Sequence, residues 1–375
     1  MRIPRSVLIV LGLALLVTIF ISQLSAPARN SSSETSKITE LGIQTVVSNL
    51  QAPWSLAFAQ DGRLFITERP GMIKVWDGKT LQNVIADGLE VVATGEGGLL
   101  GITLDPNFSS NSLLYLYYTY RSNGELWNKV VKYRLIESQL KEPETLIDKI
   151  PAGFIHNGGR IKFGQDGMLY ITTGDAGKSE LSQDINSLAG KILRIKADGS
   201  IPLDNPFKNS PVYTLGHRNP QGIAWAPLTG RLFESEHGQI GRDEINAITK
   251  GANYGWPIIS GEETKNGFVS PILESGQSTW APAGISFCTC QMYPALKNSL
   301  LAATLRGEHL MVVQFDEDDP IKVKSAYTLL SNVLGRIRDV VEGPDGYIYL
   351  ATSNRDGRGT PQEADDRVVR LVPLS

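Results

Sequence analysis

Residues 153–175 read GFIHNGGRIKFGQDGMLYITTGD. A histidine and the small, polar NGGR precede a short apolar strand, an Asp-Gly turn and a second apolar strand that ends in Gly174-Asp175. Asp-Gly tolerates the positive φ that a tight hairpin turn demands, so the stretch predicts a β-hairpin. The chain has only four histidines, and His156 stands at the mouth of this hairpin. Polar groups there are either ordinary loop residues or a site, and the rest of the chain decides between the two.

The same pattern recurs. It begins at residue 51 (QAPWSLAFAQDGRLFITERPG), at 95 (GEGGLLGITLDPNFSSNSLLYLYYTYR) and at 156, as above. It returns at 219 (NPQGIAWAPLTGRLFESEHG), 281 (APAGISFCTCQMYPALKNSLLAATLRG) and 335 (GRIRDVVEGPDGYIYLATSNRDG). Further alternating segments between copies, such as MIKVWDG and VVKYRLI, supply two more strands per unit. Units of this length with four strands each predict an all-β, six-bladed β-propeller of four-stranded antiparallel blades over residues 41–375. A β-sandwich would not repeat one hairpin six times. Closure is expected by pairing a strand near IQTVVS with the last segment, DRVVRLVPL.

Composition agrees. The 37 glycines and 20 prolines are scattered without a short period, which suits a turn-rich β protein. The net charge of −3 and the lack of a long basic run give no case for a nucleic-acid partner. The N-terminus differs from the rest: two arginines precede an apolar run from Val7 to Ile21, and Ala26-Pro27-Ala28 has the form of a cleavage site. Residues 1–28 therefore read as an export signal, cleaved or retained as a membrane anchor, and 29–40 as a flexible linker. The expected location is periplasmic or extracellular. Cys288 and Cys290, two apart on an expected strand, would face the same way; a bridge there would be strained, and they read as small, half-buried residues.

In a propeller the inner strand of each blade starts on the same face, and its antiparallel neighbour ends there. Positions before the first strand of a repeat and after the second should ring one mouth of the channel. Those positions hold Glu96, His156, Arg218 with Asn219, and Arg336 with Arg338, then Asp175, His237 with Gly238, Arg306, and Asn354 with Arg355. Singly, each arginine has a local acid available: Asp339 beside Arg338, Glu236 near Arg218. Together they suit a polyanionic ligand, because clustered like charges are costly without one.

The segments GEGGLLGITLDPNF, HNGGRIKFGQDGMLYITTGD, LGHRNPQGIAW and EHGQIGRDEINAITKGANYGWP, with the last repeat, resemble the soluble quinoprotein glucose/sorbosone dehydrogenases. The resemblance runs from about residue 45 to the end. It implies pyrroloquinoline quinone (PQQ), a tricarboxylate, with Ca²⁺, and oxidation of the anomeric C1 hydroxyl of an aldose to the lactone, electrons passing to an external acceptor. It makes His156 the general base, Asp175 its orienting partner and Arg218 a neighbour of the quinone oxygen. Glu96 takes the place of a sugar-contacting residue. Asn219, His237, Arg306, Arg336 and Arg338, with Arg218, fall at cofactor-binding positions. For Ca²⁺, which prefers hard oxygen ligands, the resemblance points to the carbonyls of Gly238 and Gln239. Asp243 and Glu244 are candidates for a second ion or for plain structure.

Three positions depart from the family pattern: Gln239 in place of proline, Arg306 in place of a cofactor-binding lysine, and apolar Ile155 where some glucose-specific members carry an acid. The last favours a broad aldose reading over glucose in particular. Two rival functions fit the fold: a non-catalytic extracellular binding protein, and a calcium-dependent propeller lactonase. The first would have lost the histidine or several arginines, and the second needs acids converging on a metal where this rim is mainly arginine.

Overall fold

Wherever the repeat occurs, it folds as an antiparallel hairpin. The computed structural model describes residues 41–373. The expected signal and linker, residues 1–40, lie outside the described residues. The chain starts with β1 (Leu41–Val47), followed by β2 (Pro53–Phe58), β3 (Leu64–Glu68), β4 (Met72–Trp76) and β5 (Leu81–Ala86). Next come β6 (Leu99–Leu104), β7 (Leu113–Ser122), β8 (Glu125–Ile136) and β9 (Gln139–Pro151). A third run is β10 (Ile161–Phe163), β11 (Leu169–Thr173), β12 (Lys191–Ile195) and β13 (Val212–Leu215). It is followed by β14 (Pro220–Trp225), β15 (Leu232–Glu236), β16 (Glu244–Ala247) and β17 (Leu273–Glu274). The last two are β18 (Pro282–Phe287), β19 (Leu300–Thr304), β20 (Leu310–Phe315) and β21 (Val323–Leu329), then β22 (Ile337–Glu342), β23 (Ile348–Thr352) and β24 (Val368–Pro373).

These strands make four four-stranded sheets and one of eight. The eight-stranded sheet is two antiparallel runs, β2–β5 and β6–β9, joined where β5 meets β9 in a short parallel contact, Ile85 opposite Gln139 and Ala86 opposite Leu140. The fold is all-β, built from multiple four-stranded units as in a β-propeller. β1 pairs antiparallel with β24, from Leu41 opposite Pro373 to Val47 opposite Val368. The two ends of the described chain thus share one sheet.

Apolar side chains fill the space between neighbouring sheets. Phe65, Leu116 and Tyr133 lie in one such layer, and Tyr115, Ile161 and Leu193 in the next. Tyr115 meets Phe163 edge to face, ring centres 5.0 Å apart. Each side chain of this kind, fully buried, contributes roughly 1.5–3 kcal/mol.

Five inner strands carry a register shift near their starts. It falls between Pro53 and Ser55 in β2, Leu99 and Ile102 in β6, and Pro220 and Gly222 in β14. In β18 it lies between Pro282 and Ile285, and in β22 between Ile337 and Asp339. A bulge places an extra residue on one strand and re-aims its side chain. Here the extra residues include Trp54, Gln221 and Arg338.

The cysteines differ from expectation. Strand β18 ends at Phe287, so Cys288 and Cys290 lie in the turn after it; they are fully buried and bonded to each other. A turn lets side chains two apart converge, which an extended strand does not. Among the described residues no helix is long and apolar enough to cross a membrane. The run Val7–Ile21 lies outside them.

Candidate active site

His156 sits in the loop entering β10 with φ +59°, a conformation uncommon for a side-chain-bearing residue. Its neighbours dictate that shape. The His156 amide donates to Glu96 Oε2 at 2.9 Å, and the Gly158 amide to Asn219 Oδ1 at 3.1 Å. Gly174, facing this loop, could not be larger: a Cβ there would come within 2.1 Å of the His156 carbonyl oxygen. The hairpin's close approach thus delivers Asp175 to the histidine, with His156 Nδ1 and Asp175 Oδ1 2.7 Å apart.

Asp175 is held firmly. The Gly177 amide donates to Oδ1 at 2.7 Å, the Trp256 indole Nε1–H donates to Oδ2 at 2.8 Å, and the Asp175 amide donates to the Arg218 carbonyl at 2.8 Å. A carboxylate facing Nδ1 makes that nitrogen the donor and leaves Nε2 as the basic atom. Trp256 has a second contact, its ring centre 5.3 Å from the Arg218 guanidinium carbon.

Next to this pair lies a cleft of about 180 Å³, lined among others by Arg69, Glu96, Gln221, His237, Arg336, Arg338 and Asp356. Arg336 donates through Nε and Nη2 to Asp356 Oδ2 at 3.0 and 2.8 Å, while Arg338 Nη2 is 3.7 Å from the same oxygen. Arg338 Nη1 donates to Gln221 Oε1 at 2.6 Å, and its guanidinium carbon is 5.8 Å from the centre of the Trp54 ring. The extra residues of three bulges therefore meet at Arg338. Burial, helped by the fields of Arg336 and Arg69, pushes Arg338 down to about 9. Burial likewise pushes His237 down to about 3, with Arg338 and Arg218 adding to it and Glu96 opposing. Glu96 behaves oppositely: burial works against its charge, yet the hydrogen bond from the His156 amide and the charge of Arg358 hold it below the usual carboxylate range.

The local pairings differ from those expected. Asp339 does not serve Arg338; it accepts from Arg160 Nη1 at 2.9 Å and from the Leu56 amide at 2.8 Å. Arg338 is the extra residue of the bulge in β22, and its partners are Gln221 and Asp356 instead. Glu236 accepts the Arg218 amide at 2.6 Å, while the Arg218 guanidinium donates to the carbonyls of His237 and Gly238 at 3.1 and 2.6 Å.

Gly238 and Gln239 lie in the loop between β15 and β16. Asp243 shapes it, accepting the Gly238 amide at 2.9 Å through Oδ1 and the Trp280 and Ala281 amides at 2.6 and 2.8 Å through Oδ2. Glu244 turns elsewhere, toward Glu234, Glu236 and His217. The Asn246 amide nitrogen donates to all three glutamates at 3.1–3.3 Å, and His217 Nδ1 is 3.1 Å from Glu236. Burial and mutual repulsion push Glu244 up to about 8 and raise Glu234 well above the carboxylate range.

Comparison with known proteins places the chain in a family. The family model described as Glucose / Sorbosone dehydrogenase matches residues 50–361. The chain belongs to the glucose/sorbosone dehydrogenase family. It is 32% identical over 341 residues to the aldose sugar dehydrogenase YliI of Escherichia coli K12, covering 84% of this chain and 91% of that one. To quinoprotein glucose dehydrogenase B of Acinetobacter calcoaceticus it is 34% identical over 259 residues, 60% of this chain and 54% of the other. The PQQ-bound aldose sugar dehydrogenase of Streptomyces coelicolor superposes with a TM-score of 0.80 at 39% identity, covering 89% of this chain and 98% of that one.

In this glucose/sorbosone dehydrogenase family member, His156, Asp175, Arg218, Asn219, Glu96, His237, Arg336 and Arg338 come together. Arg306 is exposed instead, its amide donating to the Trp280 carbonyl at 3.0 Å. Asn354 and Arg355 serve the β23–β24 loop, Asn354 donating to Asp365 and Arg355 to the Asp365 carbonyl. Asp356, one residue on, meets the arginines. Arg69 was within reach of the positional rule, since it directly follows β3, and it donates to the Gly95 carbonyl at 2.6 Å. Trp256 lies inside the quoted GANYGWP, but nothing local to that motif points to Asp175, 81 residues earlier.

Proposed function

We propose that this chain is an exported quinoprotein, a six-bladed propeller that oxidises the anomeric hydroxyl of aldoses to the lactone with PQQ and Ca²⁺. The blades are the four separate sheets and the two halves of the eight-stranded one. The observation carrying the proposal is the His156–Asp175 pair beside a cationic cleft with unmet hydrogen-bonding capacity. Arg338 Nε and His237 Nε2, whose residues line the cleft, and Arg218 Nε beside His237 are buried with no hydrogen-bond partner among the described residues. Buried polar atoms are rarely left so, and these fit a polyanionic, polar cofactor. Guanidinium groups suit its carboxylates because they bind them bidentately.

Bound PQQ supplies the electron acceptor and Ca²⁺ the Lewis acid. Arg336 and Arg338 would grip the carboxylates, Asp356 fixing how Arg336 is presented. The carbonyls of Gly238 and Gln239 would hold the ion. That of Gly238 already faces a cation, the Arg218 guanidinium. His156 Nε2 takes the proton from the anomeric hydroxyl. Asp175 holds the imidazole in the tautomer that allows this and stabilises the imidazolium that forms. Glu96 and Asn219 keep the histidine loop in place, and Arg218 offers charge to a developing oxyanion. An external acceptor would take up the electrons.

The test is dye-coupled oxidation of a panel of aldoses by purified protein with PQQ and Ca²⁺ added singly and together. Saturable turnover requiring both is expected. Turnover without PQQ, or none on any aldose despite bound PQQ, would contradict the proposal.

A further inference from the structure

The channel's other mouth, on the side of the Asp-Gly turns, opens into a cavity of about 1020 Å³. Its walls come from the turn after β2, the end of β6, the turn after β18 and the turn after β22. The charged residues among its described lining are Lys162, Asp105, Glu342 and Asp345. Each acid is already served. Asp105 accepts from Tyr115 Oη and the Asn107 amide, both at 2.9 Å, and from Asn111 Nδ2 at 2.8 Å. Glu342 accepts from the Thr289 amide and hydroxyl at 2.7 and 2.8 Å. Asp345 accepts from Tyr349 Oη at 2.7 Å and the Tyr347 amide at 3.3 Å.

Lys162 is not so well served. It springs from β10 and reaches across the channel to donate to the Ile285 carbonyl at 3.1 Å. Asp339, the acid whose field reaches it, is engaged by Arg160 at 2.9 Å. An ammonium has three protons to donate, and the hydrogen bond recorded here uses one of them. Nothing in the catalytic proposal uses this amine.

We propose that this far cavity binds a small aldehyde and that Lys162 condenses with it reversibly. The amine nitrogen attacks the carbonyl carbon, a C–N bond forms, and the carbonyl oxygen leaves as water carrying the two amine protons. The product is an imine on Lys162, and no oxidant or reductant is needed. A neutral electrophile fits better than an anion, because three carboxylates share the wall with one amine. Burial supports the reactivity, pushing Lys162 down to about 8, with Asp339 opposing and Arg160 adding to the shift. Near neutral pH a useful fraction of the amine is then unprotonated, as for other desolvated nucleophilic lysines.

The test is reductive trapping on the full protein with cyanoborohydride, using glycolaldehyde in one arm and propionaldehyde in the other, followed by peptide mass mapping. Lys162 should be labelled about tenfold or more faster than exposed Lys208 at near-neutral pH, because burial leaves more of the Lys162 amine free than an ordinary lysine has. The rate should saturate with aldehyde concentration, and the advantage should vanish in concentrated urea. Saturation by glycolaldehyde alone would assign the site to hydroxyaldehydes; saturation by both would assign it to small aldehydes generally. Labelling of Lys162 no faster than Lys208, an advantage that survives urea, or a rate linear in aldehyde would each overturn the proposal. Lys162→Met, checked for an unchanged melting temperature, should lose only the fast-labelled site.

Discussion

His156 and Asp175 depend on a third residue for their geometry. The Trp256 indole holds the outer oxygen of Asp175 and lies against Arg218, so one side chain ties the partner of the proposed base to an arginine proposed to face the cofactor. Replacing it with phenylalanine keeps a ring beside Arg218 and removes the hydrogen bond. Loss of a bond to a charged group costs about 1.5–3 kcal/mol, so Trp256→Phe should lower kcat/KM by roughly ten- to a hundredfold with the protein still folded. His156→Asn removes the proposed base itself, and a fall in kcat of about 10²–10⁴ is expected. A Trp256→Phe enzyme as active as wild type would show that Asp175 needs no such support. His237 should behave differently. Held near 3 by burial, it stays neutral through the working range, so His237→Asn should leave the acid limb of the pH–rate profile in place, whatever it does to cofactor affinity.

At the level of strands and turns, the bulges matter most. Without the shift between Ile337 and Asp339, Arg338 and Asp339 would point to opposite faces by strand alternation. With it, Arg338 reaches Gln221 while Asp339, from another sheet, binds Arg160. Both partners of that ion pair are almost wholly enclosed. Asp339→Ala should therefore cost about 3–5 kcal/mol, because it strands a buried guanidinium; chemical denaturation reads this directly. A cost near that of a surface substitution would mean that Arg160 finds another partner. The hairpins themselves were legible in the sequence, since an apolar run, a turn and a second apolar run have a local physical meaning. Bulges are not legible in this way: a skipped residue in PWS, PQG or IRD looks like ordinary alternation. For that reason the positions of Arg338 and Asp339 could be read, but not their partners. Asp356 was missed because it lies one residue beyond the rim positions expected after β23.

Across the whole molecule, buried charge gives stability a pH dependence. Glu244 has its folded pKa raised from an ordinary value of 4.5 to about 8, with Glu234 raised as well. Between those pH values the folded state binds more protons than the unfolded one, so this contribution to stability falls as pH rises. Urea denaturation in the presence of chelator should show the wild type losing stability from about pH 5 to 8, with Glu244→Gln flatter. Identical slopes would place the titration elsewhere. The closure of the fold was legible at this scale, because unpaired edge strands need partners and the first and last apolar segments were the free ones. The cysteine pair was not, because the end of β18 at Phe287 cannot be read from SFCTC.

The decisive measurement is an equilibrium titration of metal-depleted protein with PQQ, with and without Ca²⁺, set beside Arg338→Gln and Arg336→Gln. Tight, Ca²⁺-dependent binding that weakens by about tenfold or more in each variant is the predicted result, each guanidinium–carboxylate contact contributing about 1.5–3 kcal/mol. Wild-type binding that is absent, or that neither substitution weakens, would contradict the reading of this cleft as the cofactor site.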